Sequence, residues 1–156
     1  MKITVTPGRK IMGRLAKGED LLAALSSCAR EHGITLGEVQ AIGAVSQARV
    51  GYYHQGERKY YFLDLPRPLE IASLIGNISL KDGEPMVHAH VTLTDSDGRA
   101  FGGHLAEGTL VFACEFAIQE YQSAAPLVRR MDDPTGLFLW PYKQILTVAP
   151  EPLAHP

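Results

Sequence analysis

Three of the six histidines of this chain, His88, His90 and His104, lie close together in the sequence. Imidazole is a common ligand of zinc, and three histidines with an open fourth position are typical of a catalytic zinc site. Side chains at positions i and i+2 of a strand project to the same side. The spacing of His88 and His90 therefore predicts two ligands on one face, which need a third from a neighbouring element. The alternatives are polar residues facing solvent and residues in a contact between copies of the chain.

The first two histidines belong to a strand pattern. Residues 86–94 alternate between apolar and polar side chains, which is typical of a half-buried strand. Asp95-Ser96-Asp97-Gly98 follows as a turn, with a glycine suited to a left-handed conformation.

The register of this hairpin decides whether His104 joins the other two histidines. A two-residue loop would place it on the apolar face, opposite Ala89. A three-residue loop, Ser96-Asp97-Gly98, places it opposite His90 and sets Asp95 against Arg99. Since only the second register keeps all apolar residues on one face, we predict the three-residue loop. The preceding hairpin, turning at Asp82-Gly83, places Asn77 opposite His88.

Length and composition indicate one globular domain. The chain has 156 residues, of which 46% are hydrophobic and 21% charged, with a net charge of -2. This charge is atypical of a free-standing electrostatic DNA binder. Cys28 and Cys114 lack a paired-thiol spacing and are interpreted as buried thiols in a reducing compartment. We find no signal peptide or membrane span, so we expect a cytoplasmic protein with no membrane partner.

The remaining pattern predicts a single α+β domain, with one main helix packed on a mainly antiparallel sheet. Residues 19–32 form the helix, in which Leu21, Leu25 and Ala29 share an apolar stripe and Gly33 caps the end. We divide the chain into an N-terminal segment (residues 1–8), the domain (residues 9–147) and a loose proline-rich tail (residues 148–156). Strands are predicted at residues 9–15, 39–45, 49–54, 59–65, 69–80, 86–94 and 109–121.

Two polar residues are further candidates for the site. Glu115 is a carboxylate in an otherwise apolar strand, which we expect to be buried. It is a candidate catalytic acid or base, or a partner of a metal ligand, and an ion pair at an edge or interface is the equal alternative. Asn77 could orient a ligand, although a simple hydrogen bond within the sheet is the plainer interpretation.

Two further pairs are less specific. Gly102 and Gly103 could leave room for a ligand, or could reflect tight packing of the sheet at a bend. Arg129 and Arg130 are interpreted as a solvated pair and not as a phosphate site.

The histidine hairpin resembles the PPC ("plants and prokaryotes conserved") domain family. The resemblance rests on His88-Ala89-His90, on Asp97-Gly98, and on Gly102-Gly103-His104-Leu105 with Glu107-Gly108 after it. Supporting matches span most of the chain, from about Arg9 to Tyr121, and include Gly18-Glu19-Asp20, Ala41-Ile42-Gly43-Ala44-Val45, Gly76-Asn77-Ile78-Ser79 and Glu115-Phe116.

The resemblance implies a seven-stranded antiparallel sheet and assembly as a homotrimer. Prokaryotic members usually carry a provisional label as DNA-binding proteins, and a zinc site at the histidines is a reasonable expectation for them. This chain lacks the Arg-Gly-Arg-Pro hook of the plant proteins; its nearest string is Pro7-Gly8-Arg9-Lys10. The leading expectation is a homotrimer that binds a divalent metal, with zinc preferred, and carries the DNA-binding label. The alternative is a zinc-dependent enzyme that acts on a small molecule.

Overall fold

The computed structural model describes residues 2–142. They form one α-helix and a seven-stranded antiparallel sheet, with a separate two-stranded hairpin near the end. This is the predicted fold class. The elements are β1 (Thr6–Leu15), α1 (Leu21–Glu31), β2 (Gly37–His54), β3 (Lys59–Leu65), β4 (Leu69–Lys81), β5 (Glu84–Thr94), β6 (Ala100–Leu105), β7 (Leu110–Gln122), β8 (Arg130–Asp132) and β9 (Leu137–Leu139).

The helix begins and ends close to its predicted bounds because its caps are encoded locally. The Asp20 side chain accepts a hydrogen bond from the Ala23 N–H at 2.9 Å, as an N-cap does. Gly33 has a φ of 63°, and the following Ile34 N–H donates to the Ala29 carbonyl at 2.8 Å. The buried stripe of the helix packs on the inner face of the sheet, where a continuous core includes Val39, Leu74, Val91, Leu105 and Ile118.

Strand β2 organises the sheet. Its first half pairs with β7 and β4, and its second half pairs with β3 and β6. The prediction of two strands at residues 39–45 and 49–54 is wrong, because the chain bends through bulges without leaving the sheet. Gly43 lies at one bulge with a φ of 136°, where a Cβ atom would stand 2.2 Å from the Ala113 carbonyl oxygen.

The face of the sheet opposite α1, here called the outer face, is partly uncovered. It exposes large apolar side chains: Met12 (74%), Ile42 (60%), Ile75 (66%) and Phe112 (52%). Strand β7 lies between β1 and β2 in the sheet, and Phe112 leaves part of its outer side uncovered.

Cys28 is half-buried and Cys114 is buried, both as free thiols. Burial raises the pKa of Cys114 to about 11.

A bilayer-spanning helix, judged by length and apolar content, is absent from residues 2–142. The tail predicted at residues 148–156 lies outside the described residues.

Candidate metal centre

The histidine hairpin adopts the predicted register. His104 on β6 lies opposite His90 on β5, and Phe101 lies opposite Leu93. The Gly98 N–H donates to the Asp95 carbonyl at 2.9 Å, and Gly98 has a φ of 75°, as a three-residue loop requires. The preceding hairpin also has its predicted register, with Asn77 opposite His88. Local turn chemistry therefore places all three histidines on the outer face.

The three histidines form one cluster, here called the histidine cluster. One ring nitrogen from each of His88, His90 and His104 lies within 4.8 Å of the others, and the ring centroids are 5.0 to 5.6 Å apart. Zinc–nitrogen bonds of about 2.0–2.1 Å in a tetrahedral site set ligand nitrogens about 3.4 Å apart. Ring rotations that move the nitrogens by about an ångström would bring them to that spacing.

The chemistry of these nitrogens suits a metal. His104 Nδ1 is buried and has no hydrogen-bond partner among the described residues. Such an orphaned polar atom costs roughly 1–3 kcal/mol unless something binds it. Burial, reinforced by the positive charge of Arg129, lowers the pKa of His88 to about 4, and burial also lowers the pKa of His104. Both rings are therefore neutral at pH 7, the state in which imidazole binds a metal.

Arg129 adjoins the cluster, contrary to the prediction of a solvated pair with Arg130. Its residue exposure is only 5%, and burial lowers the pKa of its guanidinium. Nη2 donates to Asn77 Oδ1 at 2.5 Å, Nε donates to Ser79 Oγ at 2.9 Å, and Nη1 donates to the Phe138 carbonyl at 3.2 Å. Nη2 also lies 3.5 Å from His88 Nδ1, a contact at the upper limit for a hydrogen bond. Arg130, by contrast, is exposed.

Arg129 reaches this position through the segment of residues 126–142, here called the C-terminal arm. The arm is anchored to the end of β4, where the Arg129 N–H donates to the Leu80 carbonyl at 2.7 Å and the Leu80 N–H donates to the Leu127 carbonyl at 3.0 Å. Its β8–β9 hairpin is held by Tyr53, whose hydroxyl donates to the Thr135 carbonyl at 2.7 Å. Trp140 Nε1 donates to Ser79 Oγ at 3.0 Å.

A cavity of about 320 Å³ lies between the arm and the histidine cluster, and is here called the arm cavity. His88, His104 and Arg129 line it at one side. The Tyr60 ring stacks obliquely beside His104, with 5.1 Å between ring centroids. The cluster therefore borders a partly open cavity of a size that suits a small ligand.

The other predicted residues divide between the cluster and the rest of the sheet. Asn77 lies at the cluster, where its amide oxygen is taken by Arg129. Gly102 and Gly103 permit close approach of strands: a Cβ atom would lie 2.7 Å from the Val91 carbonyl oxygen at Gly102 and 2.6 Å from the Gly51 carbonyl oxygen at Gly103. Neither glycine lines the arm cavity.

Glu115 is exposed, so the prediction of a buried carboxylate is wrong. It lines a different depression, together with Met12, Ile42 and Ile75. Three strand spacings of about 4.8 Å each separate β7 from β5, so the structure does not bring Glu115 to the histidines.

Fold and site together define an α+β protein with a three-histidine cluster on the outer face of an antiparallel sheet. The sequence model of the Plants and Prokaryotes Conserved (PCC) domain matches residues 2–122. The chain therefore belongs to this family, as the resemblance implied.

Solved structures agree with that assignment. A metal-containing protein from Archaeoglobus fulgidus is 41% identical, with a TM-score of 0.84 over 90% of this chain and 99% of that one. A plant- and prokaryote-conserved (PPC) protein from Pyrococcus horikoshii is 35% identical, with a TM-score of 0.87 over 93% and 99% of the two chains. A protein from Ralstonia eutropha JMP134, provisionally described as DNA-binding, is 28% identical, with a TM-score of 0.75 over 85% and 90%.

Curated relatives share only a segment with this chain. The protein named Bifunctional protein GlmU from Synechococcus sp. (strain JA-3-3Ab) is 34% identical over 124 residues, which is 79% of this chain. The chain spans 19% of the length of that relative.

Proposed function

We propose that the chain binds a divalent metal ion, with zinc preferred, through His88, His90 and His104. The observation that carries this proposal is the convergence of three imidazoles, one of which has a buried nitrogen with no hydrogen-bond partner in the described part of the chain. The metal-containing A. fulgidus relative supports it. Three imidazoles suit zinc and leave a fourth position for water or a ligand.

The metal content of the purified protein tests this proposal. After loading with zinc and dialysis, the wild-type chain should retain about one zinc per chain, and His90→Ala should retain almost none. His54→Ala is the matched control, because His54 is a half-buried histidine at the end of β2, outside the cluster. Equal zinc content in the wild type and His90→Ala would sink the assignment.

We also propose that the chain assembles as a homotrimer through the uncovered part of the outer face. Met12, Ile42 and Ile75 expose more than half of their surface around the depression that Glu115 also lines. Contiguous exposed apolar surface of this kind marks a contact site in proteins. The number of copies, three, comes from the resemblance to the PPC family.

Light scattering coupled to size exclusion tests this assembly. The wild type should have three times the chain mass of 17.0 kDa. Ile75→Asp should reduce the mass toward one chain, because it places a charge on the apolar contact, whereas Glu70→Gln on the same strand should not. A monomeric wild type would contradict the proposal.

An enzyme that acts on a small molecule is a second candidate, favoured by the cavity that adjoins His88 and His104. A bound zinc would supply Lewis-acid activation of water or of a carbonyl. The chain itself supplies three imidazoles, an adjoining cavity and the buried Arg129. Zinc-loaded protein should hydrolyse p-nitrophenyl acetate faster than His90→Ala does, and equal rates would count against this candidate.

DNA binding rests on the label of relatives such as the R. eutropha protein. The net charge of -2 gives it no electrostatic support. A DNA complex should weaken steeply with salt, because phosphate contacts release counterions. Absence of a gel shift at low salt would remove this function, and a salt-sensitive shift would support it.

A further inference from the structure

The charge of Arg129 is unbalanced where it is buried. Its hydrogen-bond acceptors are an amide, a hydroxyl and a backbone carbonyl, all of them neutral. No carboxylate among residues 2–142 lies within salt-bridge distance of its guanidinium. Burying a charge is costly unless an opposite charge compensates it. The arm cavity that Arg129 lines is therefore a place where an anion would be stabilised.

Other cations reinforce this potential. Lys81 also lines the cavity, with its ammonium 4.2 Å from the centroid of the Phe138 ring. Arg58 lines it as well, and its guanidinium donates to the backbone carbonyls of Asp133 and Pro134. Lys59 is the one lining cation with a carboxylate partner, Glu57, at 3.0 Å. No Asp or Glu of the described chain lines the cavity.

The remaining walls of the cavity select among anions. They are apolar or aromatic side chains: Tyr53, Tyr60, Met86, Met131, Leu137, Phe138 and Leu139. A compact, strongly hydrated anion such as phosphate would gain nothing from these walls. An anion with an apolar body would bury that body against them and set its charge against Arg129. A volume of about 320 Å³ limits the ligand to a small molecule.

We propose that the arm cavity binds a small organic carboxylate, with its carboxylate held on the Arg129 side and its apolar body among the aromatic and aliphatic walls. Guanidinium groups recognise carboxylates through directed, charge-assisted hydrogen bonds. The proposal rests in part on the proposed metal site, since His88 and His104 line the same cavity and a bound metal would add positive charge there. It identifies the ligand class that the metal site would serve.

The chain contains a reporter for this binding. Trp140 is its one tryptophan, and its ring lies 5.6 Å from the Arg129 guanidinium. We would follow Trp140 emission while titrating sodium benzoate into the full chain at constant ionic strength. Benzamide serves as the neutral probe of the same shape, and sodium phosphate as the compact anion. Each titration is made on EDTA-treated and on zinc-loaded protein.

Benzoate should give a saturable response at concentrations where benzamide and phosphate give little. Arg129→Gln should weaken benzoate binding at least about tenfold, since it removes the charge-assisted contact. Arg130→Gln is the matched control, because its arginine is adjacent in sequence but exposed, and it should bind as the wild type does. If Arg129→Gln does not fold, Lys81→Gln replaces it, with an expected weakening of about threefold for a more distant charge.

Equal responses to benzoate and benzamide would overturn the proposal. So would unchanged benzoate binding in the arginine or lysine variant, or a stronger response to phosphate than to benzoate. Zinc retention without a benzoate response would overturn this proposal alone. Benzoate binding by the EDTA-treated chain, together with no zinc retention, would overturn the metal proposal and support the anion site.

Discussion

Two arginines of this chain occupy opposite electrostatic situations. Arg9 on β1 forms a two-pronged pair with Glu120 on β7, in which Nε and Nη2 each donate to a carboxylate oxygen at 2.7 Å. Arg129 in the C-terminal arm is more deeply buried, yet its acceptors are neutral. The charge of Arg9 is paired with a carboxylate within the fold and stabilises the contact between β1 and β7. The charge of Arg129 is positioned by the fold without such a pair, and is available to a ligand.

The comparison separates an arginine with a structural role from an arginine positioned to bind a ligand. An arginine matched by a carboxylate stabilises the structure and needs no further explanation. An arginine held among neutral acceptors beside a cavity keeps most of its positive potential, because hydrogen bonds to an amide, a hydroxyl and a carbonyl orient it without cancelling its charge.

The largest expected difference between the two arginines is in the free energy of unfolding that is lost when each is removed. Arg129→Ala should lower the free energy of unfolding by about 2–4 kcal/mol, because it leaves Asn77 Oδ1 and the Phe138 carbonyl without their donor and opens a void. Arg9→Ala should cost clearly less, since its pair is at the surface. Urea denaturation of both variants measures the difference. If Arg9→Ala is the more damaging change, the contrast is wrong.

A smaller effect should come from Trp140, which holds the end of the described arm. Trp140→Phe removes the hydrogen bond to Ser79 and weakens the contact with Arg129, but keeps an aromatic ring. We expect a loss of about 1 kcal/mol. The same urea titration measures it, with Tyr52→Phe at an exposed tyrosine outside the arm as the control. A loss as large as that of Arg129→Ala would show that packing, and not the guanidinium network, holds the arm.

The smallest expected effect is the pH dependence of folding stability that the Arg9–Glu120 pair produces. Hydrogen bonds from Arg9 lower the pKa of Glu120 from 4.5 to about 2. A carboxylate with a depressed pKa contributes stability that is fully present above its unfolded value and is lost as pH falls through its folded value. Stability should therefore decline as pH falls from about 4.5 towards 2, more steeply in the wild type than in Arg9→Gln. Identical slopes would show that the pair is not coupled to folding.

The sequence predicted the histidine cluster well because local chemistry decides it. The loop Ser96-Asp97-Gly98 sets the register, and a register slip would have exposed the apolar face of the strand. The same reasoning placed Asn77 opposite His88. In each case the two paired residues lie in one hairpin, so the type of its turn is enough to predict which residues face each other.

The role of Arg129 could not be predicted in the same way, because it depends on contacts with residues about fifty positions earlier, Asn77 and Ser79. One local pattern was available: Pro134 and Gly136 separate two short extended runs, which predicts the β8–β9 hairpin. Alternation along the first run would have set Leu127 and Arg129 on one side, away from Arg130. Glu115 was misjudged because the apolar pattern of β7 does not reveal which face of the sheet remains uncovered.

The proposed metal site consists of His88, His90 and His104, which would hold one metal ion and leave one coordination position open. X-ray absorption at the zinc edge of the zinc-loaded protein tests it most directly. Three imidazole nitrogens at about 2.0–2.1 Å and one further light ligand are the expected result. A sulfur ligand near 2.3 Å, a fourth imidazole, or fewer than three imidazoles would contradict it.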